Sequence, residues 1–145
     1  MSRNMFKSCS IKSVFLTKEV YSLSRFAILL QVIIAAGIFN VWVLRRGRPT
    51  NYRPDGASNI SEEFARYGFS DAFRRTIGTT KLTLAALLLL GTAYAPLAVG
   101  AASGMAILMC GALAAHVKVR DPMIKSIPAL LMLLMSTAVV VVRVG

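Results

Sequence analysis

Acidic side chains are scarce in this sequence. Six Asp and Glu stand against 17 Lys and Arg in 145 residues, a formal net charge of +11. Glu62 and Glu63 are adjacent, so a helix sends them to different faces. They read as a solvated helix start rather than as paired catalytic carboxylates. Histidine occurs once, at His116, which leaves no bis-histidine haem pair and no multi-histidine metal site within the chain. Cysteine occurs twice, Cys9 in a polar stretch and Cys110 in an apolar one, with neither a disulfide framework nor metal-ligand spacing. Cys110 reads as a small apolar packing residue. The seven Met, Met105, Met109, Met132 and Met135 among them, read as packing residues rather than copper ligands. Walker-type glycine loops and the nucleophile–base–acid arrangement of hydrolases are missing too. These absences predict no metal and no cofactor, and they point away from an enzyme without excluding one.

Charge of either sign is thin as well. Charged residues make up 16% of the chain, against about a quarter in a soluble domain, while 56% are hydrophobic and mean hydropathy is +0.64. The apolar residues come in runs. Residues 82–115 hold 34 consecutive positions without a charge. As one helix that run extends about 50 Å, far beyond a hydrocarbon core of roughly 30 Å. It must fold back on itself, because so short a chain builds no soluble core large enough to hide it. The reading is an all-α polytopic transmembrane four-helix bundle with the lipid bilayer as its first partner.

Four spans can be placed. The first is Phe26 to Leu44, 19 residues without a charge, stopped by Arg45, Arg46 and Arg48 and then Pro49. Trp42 suits the headgroup boundary at that end, and Gln31 and Asn40 interrupt the apolar run. The second begins near Thr76 and runs to about Tyr94, because residues 82–90 alone are too few to cross; this forces Lys81 into the helix. Gly91 to Pro96 makes the turn. The third runs from Leu97 to Val117, with Gly100, Ala101, Gly104, Gly111 and Ala112 permitting close helix approach. The fourth runs from Ile127 to Val142, with Pro128 in its first turn and Arg143 just beyond.

Residues 26–145 therefore form the membrane domain, and residues 1–25 a basic N-terminal tail, read either as a loose or interfacial segment or as a transit peptide. Between the first two spans, Asn59 and Glu62 make a capping pair for a short helix that Gly68 ends, and Ser70 caps the next start. Phe64, Tyr67, Phe69 and Phe73 suit either a membrane-surface segment or an ordinary exposed loop helix.

Basic residues flank the spans, where headgroups and topology account for them, so nucleic acid is not an expected partner. Four spans put the first and third linkers together with ten Lys and Arg, against six on the side of the termini. The second linker has none. The expectation is a plasma membrane protein of the bacterial inner-membrane kind with both termini on the non-cytoplasmic side. The same topology gathers Asn40, Lys81, His116 and Pro128 at one end of the bundle. Ionisable groups inside a membrane usually face the bundle interior or a water-filled cavity. Lys81 and His116, with Asn40, thus form a candidate ligand or proton site. Against this, Lys81 is near enough to the interface to snorkel, and His116 lies two residues from Lys118.

The segments FARYGF, IGTTKL, GALAAHVKVRDP and SIPALLMLL together resemble DoxX-like membrane proteins. In that pattern a Gly-x-x-Lys element opens the second helix, a histidine closes the third and a proline opens the fourth. The matching positions are Gly78 and Lys81, His116, and Pro128, within a resemblance running from about Phe26 to Val142. The resemblance implies a four-helix membrane domain in which Gly78 and Pro128 are structural. It implies little about activity: some relatives are associated with quinone-linked sulfur oxidation or oxidative-stress membrane complexes, and many have no known role. The leading expectation is a non-enzymatic accessory or subunit of a membrane redox (quinone-linked) system. The partner would then be a redox protein or a second copy of the chain. The first rival reading is a small-molecule or proton-pathway protein that uses Lys81 and His116, and the second is an enzyme acting on a quinone or lipid at the interface.

Overall fold

The fold is that of a computed structural model, which describes the backbone of residues 2–54 and 57–145 and the side chains from Lys18 onward other than those of Val20, Asp55 and Gly56. The described residues form five α-helices and no strand: α1 Ser2–Phe39, α2 Ile60–Arg66, α3 Asp71–Leu90, α4 Ala95–Lys118 and α5 Met123–Val144. Neither glycine nor proline occurs between Ser2 and Ala36, so nothing breaks the helix. The basic segment and the first span are accordingly one continuous rod. The rod ends in a π-helical turn, Asn40–Leu44, closed by Arg45 N donating to the Asn40 carbonyl at 2.8 Å.

The short α2 starts as its sequence suggests. Asn59 accepts from Glu62 N at 3.0 Å, and Glu62 accepts in return from Asn59 Nδ2 at 2.7 Å and Ser58 N at 2.7 Å. Gly68, at φ +80°, turns the chain out of it in a conformation that side chains resist. Ser70 then caps α3 by accepting from Phe73 N at 3.2 Å.

Three helical stretches are long and apolar enough to cross a membrane: Tyr21–Leu44, Ala95–Lys118 and Met123–Val144. α3 has 20 residues but falls short on apolarity, since Asp71, Arg74, Arg75 and Lys81 all fall within its first eleven positions. α4 packs against α3 and α5, and α1 closes the ring by touching both of those. Leu30, Ile34 and Ile38 of α1 meet Leu88 of α3, Met105 of α4 and Val139 of α5 at the centre. Large apolar side chains such as Leu29, Ile107, Leu131 and Leu134 face outward, the reverse of a water-soluble surface.

Two packing expectations change. On α4 the buried positions are Ala98, Ala101, Ala102, Met105, Met109, Ala115 and His116, so Ala101 does permit close approach, as does Gly104, where an added Cβ would fall 3.1 Å from Leu84, while Gly100 and Gly111 face open space. Cys110 is exposed rather than packed. The fourth helix also begins earlier than its apolar run. α5 starts at Met123 behind Pro122, so Lys125 lies inside the helix and buried, and Pro128 falls in the second turn. A charge-free criterion misplaces this start because the helix carries its lysine into the protein interior. Arg143 likewise sits within α5 and reaches back to donate to Gln31 Oε1 at 3.0 Å; buried Gln31 itself donates to the Leu88 carbonyl at 3.3 Å.

Candidate functional site

The arginine-rich linker is tied into a knot by one of its own residues. Arg53 is buried, with Nη1 donating to the carbonyls of Arg48 at 2.7 Å and Ser58 at 2.9 Å, and Nη2 to that of Arg45 at 3.1 Å and Arg46 at 3.5 Å. Its Nε pairs with Glu63 Oε2 at 3.2 Å. The five N–H groups of a guanidinium fork suit such a convergent set of carbonyls. The knot seats α2 over one end of the helices. There Phe64 meets Trp42 edge-on, with ring centroids 5.9 Å apart.

Beneath this cap lies a cavity of about 360 Å³, within the range of roughly 300–1,000 Å³ typical of small-molecule sites. Its wall is built from α1 and its π turn, the linker, α2, and the facing sides of α3, α4 and α5. Asn40, Lys81, His116 and Pro128 all line it. The fifth expected position, Gly78, sits one turn before Lys81 and under Trp42. A Cβ there would fall 2.5 Å from Trp42 Cζ3. The Gly-x-x-Lys spacing thus has a local reason: the glycine admits the indole, and the lysine one turn on stands over it, Nζ 5.5 Å from the ring centroid. Trp42 is therefore an inward packing residue rather than a headgroup anchor.

Lys81 is the most unusual group in the wall. The residue is only 9% exposed. Among the described residues its ammonium has the Trp42 face and no hydrogen bond or ion pair. A snorkelling lysine reaches solvent or headgroups; this one is held under the cap.

His116 belongs to a polar cluster. Its Nδ1 lies 2.8 Å from Asp121 Oδ2 and 3.1 Å from the Tyr67 hydroxyl. In the tautomer whose Nδ1–H donates to Asp121 Oδ2, Nε2 is left as an acceptor 3.5 Å from the Tyr67 hydroxyl. Asp121 is brought within reach by the turn after α4, where Arg120 adopts φ 56° and Asp121 N donates to the His116 carbonyl at 3.1 Å. Lys118 donates to the Tyr67 carbonyl at 3.0 Å and fastens the cap from the other side. Burial, reinforced by the charges of Glu63 and Asp121, pushes the Tyr67 phenol well above its ordinary value. Burial also raises the Glu63 carboxyl, against the opposing pull of Arg53.

Glu63, Arg53, Tyr67 and Asp121 were not expected in the site. Glu62 behaves as a solvated capping residue, exposed and bonded to Ser58 and Asn59, while its neighbour turns inward. The only signal available in sequence was that adjacency itself, since consecutive helix residues point about 100° apart and one of them can turn toward the bundle while the other stays in water. The aromatic segment also turns inward in part: Tyr67 is buried, whereas Phe73 remains 43% exposed. Among the described residues no three His, Cys, Asp or Glu side chains converge. The groups at the cavity are two ammoniums, those of Lys81 and Lys125, an imidazole, an amide, the Arg45 guanidinium and the Arg53–Glu63 pair.

No curated protein and no solved structure matches the chain. The sequence profile of the DoxX-like family matches residues 51–140, from the arginine knot through α2, α3 and α4 into α5, and leaves out α1. With three helices able to cross a membrane, this is a small transmembrane protein, and the chain belongs to the DoxX-like family.

Proposed function

We propose that the chain is a four-helix transmembrane protein, α3 serving as the fourth span, that binds a small molecule in the capped cavity through Lys81, with His116 and Asn40 beside it. The observation that carries this reading is the buried, hydrogen-bond-free ammonium in the cavity wall. Burying an unpaired charge costs several kcal/mol, and inside membranes such groups mark ligand and ion pathways. α3 can serve as a span because its charged N-terminal stretch lies under the cap while Leu84, Leu87 and Leu90 continue beyond it.

Native mass spectrometry of the protein extracted in mild detergent tests the proposal. A small-molecule adduct is expected on the wild type and not on Ala112→Phe, which fills the cavity. An adduct that survives this substitution would place the binding elsewhere and sink the reading.

The second reading is an accessory or subunit of a quinone-linked membrane redox system. The Tyr67–Asp121–His116 cluster favours it, because three proton-carrying groups in contact make a relay to the cavity wall. It predicts copurifying redox partners, and their loss in Asp121→Asn; a chain that always elutes alone would count against it.

A further inference from the structure

The two ends of the cavity differ in chemistry. Towards the bundle interior it is lined by Ile38, Met109, Ala129 and Met132, and towards the cap by charged side chains. The positive charges there are not equally available. The donors of Arg53 are directed at backbone carbonyls and its charge is answered by Glu63 at 3.2 Å. Lys81 is different. Trp42 offers it a π face but no oxygen, and no carboxylate lies within ion-pair distance among the described residues. Arg45 and the buried Lys125, which has a partner of its own, add further positive charge to the wall. A cationic ligand meets net repulsion at this end, where Lys81, Lys125, Arg45 and Arg53 outnumber Glu63, and an uncharged one leaves the Lys81 ammonium with no acceptor, since Glu63 acts on it only from beyond ion-pair distance.

We infer that the cavity takes a small amphipathic anion, with a carboxylate or phosphate-type head on Lys81 and an apolar body between Ile38, Met109 and Met132. This rests on the binding reading above and adds the class of ligand. The apolar body is required as much as the head, because a bare inorganic anion would leave the methionine-lined half unfilled. The same chemistry is offered by a free acid and by an anionic lipid.

The test uses the full chain in phosphatidylcholine nanodiscs and two photoreactive probes, a diazirine-bearing decanoate and the matching decanol, with crosslinked residues mapped by mass spectrometry. Decanoate is expected to label Met109 and Met132. Lys81→Met should lower that labelling at least about tenfold, the weight of a lost charge-assisted hydrogen bond, while Lys81→Arg retains it. Unchanged melting temperature and elution volume establish that the variants are folded. Equal labelling by decanol and decanoate, removed in both cases by Ala112→Phe, would overturn the anionic class and leave the binding reading standing. If neither probe labels the cavity, both fail. Labelling that phosphatidylglycerol leaves unchanged identifies a free acid, and competition by phosphatidylglycerol but not by extra phosphatidylcholine identifies a lipid head; either supports the inference.

Discussion

At Gly78 one methyl group decides whether Trp42 keeps its seat. The atoms nearest to an added Cβ, at 2.5 and 2.6 Å, belong to the six-membered ring of the indole. The ring sits between α3 and Phe64 and can retreat only by giving up that edge contact and shifting into the cavity it lines. Overpacking of this kind costs about 1–3 kcal/mol. Gly78→Ala is therefore expected to lower the melting temperature, and Trp42→Leu in the same chain to recover part of the loss. A melt unchanged by Gly78→Ala would contradict the close approach. Glu63 gives a prediction of a different kind. Its folded carboxyl is raised above the ordinary 4.5, with burial the largest cause. A raised acid contributes stability that is fully present below the unfolded value and lost as pH rises through the folded one. The stability of the wild type relative to Glu63→Gln should thus fall as pH climbs from below about 4.5 through the raised value, then level off. Melts across that window check it; a difference that grows with pH would show that Arg53 outweighs burial. Lys81, His116, Asn40 and Pro128 were legible because span placement alone sets their depth. Arg53, Glu63, Tyr67 and Asp121 were not, because charges in a hydrophilic linker read as solvated until tertiary packing buries them.

α2 is the element most dependent on its cap. Seven residues are too few for a helix to hold itself in water, so the Asn59–Glu62 exchange and the Arg53–Glu63 bridge must fix its position. Asn59→Ala removes one side of the exchange, at a cost of about 1 kcal/mol. The expected outcome is faster hydrogen exchange across α2, with protection in α4 unaltered, since α4 is held by its own contacts to α3 and α5. Equal loss in both would mean that the cap and bundle unfold as one unit. The starts of α2 and α3 were readable because capping chemistry is local: Asn59, Glu62 and Ser70 act within three residues of themselves. The start of α5 was not, because burial of Lys125 is a property of the assembled helices. Pro128 shows the consequence. In the second turn its missing N–H leaves the Ile124 carbonyl without the usual helical donor, beside the cavity that Pro128 lines.

For the molecule as a whole, the cavity lies at the end that carries the first and third linkers, and the side of the membrane it faces follows from charge. Ten of the 17 Lys and Arg belong to those two linkers. Buried Arg53 is among them, but most, such as Arg45, Arg46, Arg48 and Arg120, are exposed and free to meet anionic headgroups. Six lie on the side of the termini, and α1 carries five of these as a continuous helix from Ser2 rather than as a separate tail. The turn between α3 and α4, residues 91–94, has none. Lys and Arg near span ends are retained on the cytoplasmic side, so the cavity should open toward the cytoplasm and the α3–α4 turn away from it. With Cys9 and Cys110 replaced by serine, Ala93→Cys is expected to react with a membrane-impermeant maleimide in intact cells. Ser61→Cys, an exposed position on the cap, should react only after permeabilisation. The reverse pattern would invert the protein and put the ligand's entry on the outer face. Labelling of both positions in intact cells would be incompatible with α3 crossing the bilayer, because the cap and the turn stand at opposite ends of that helix.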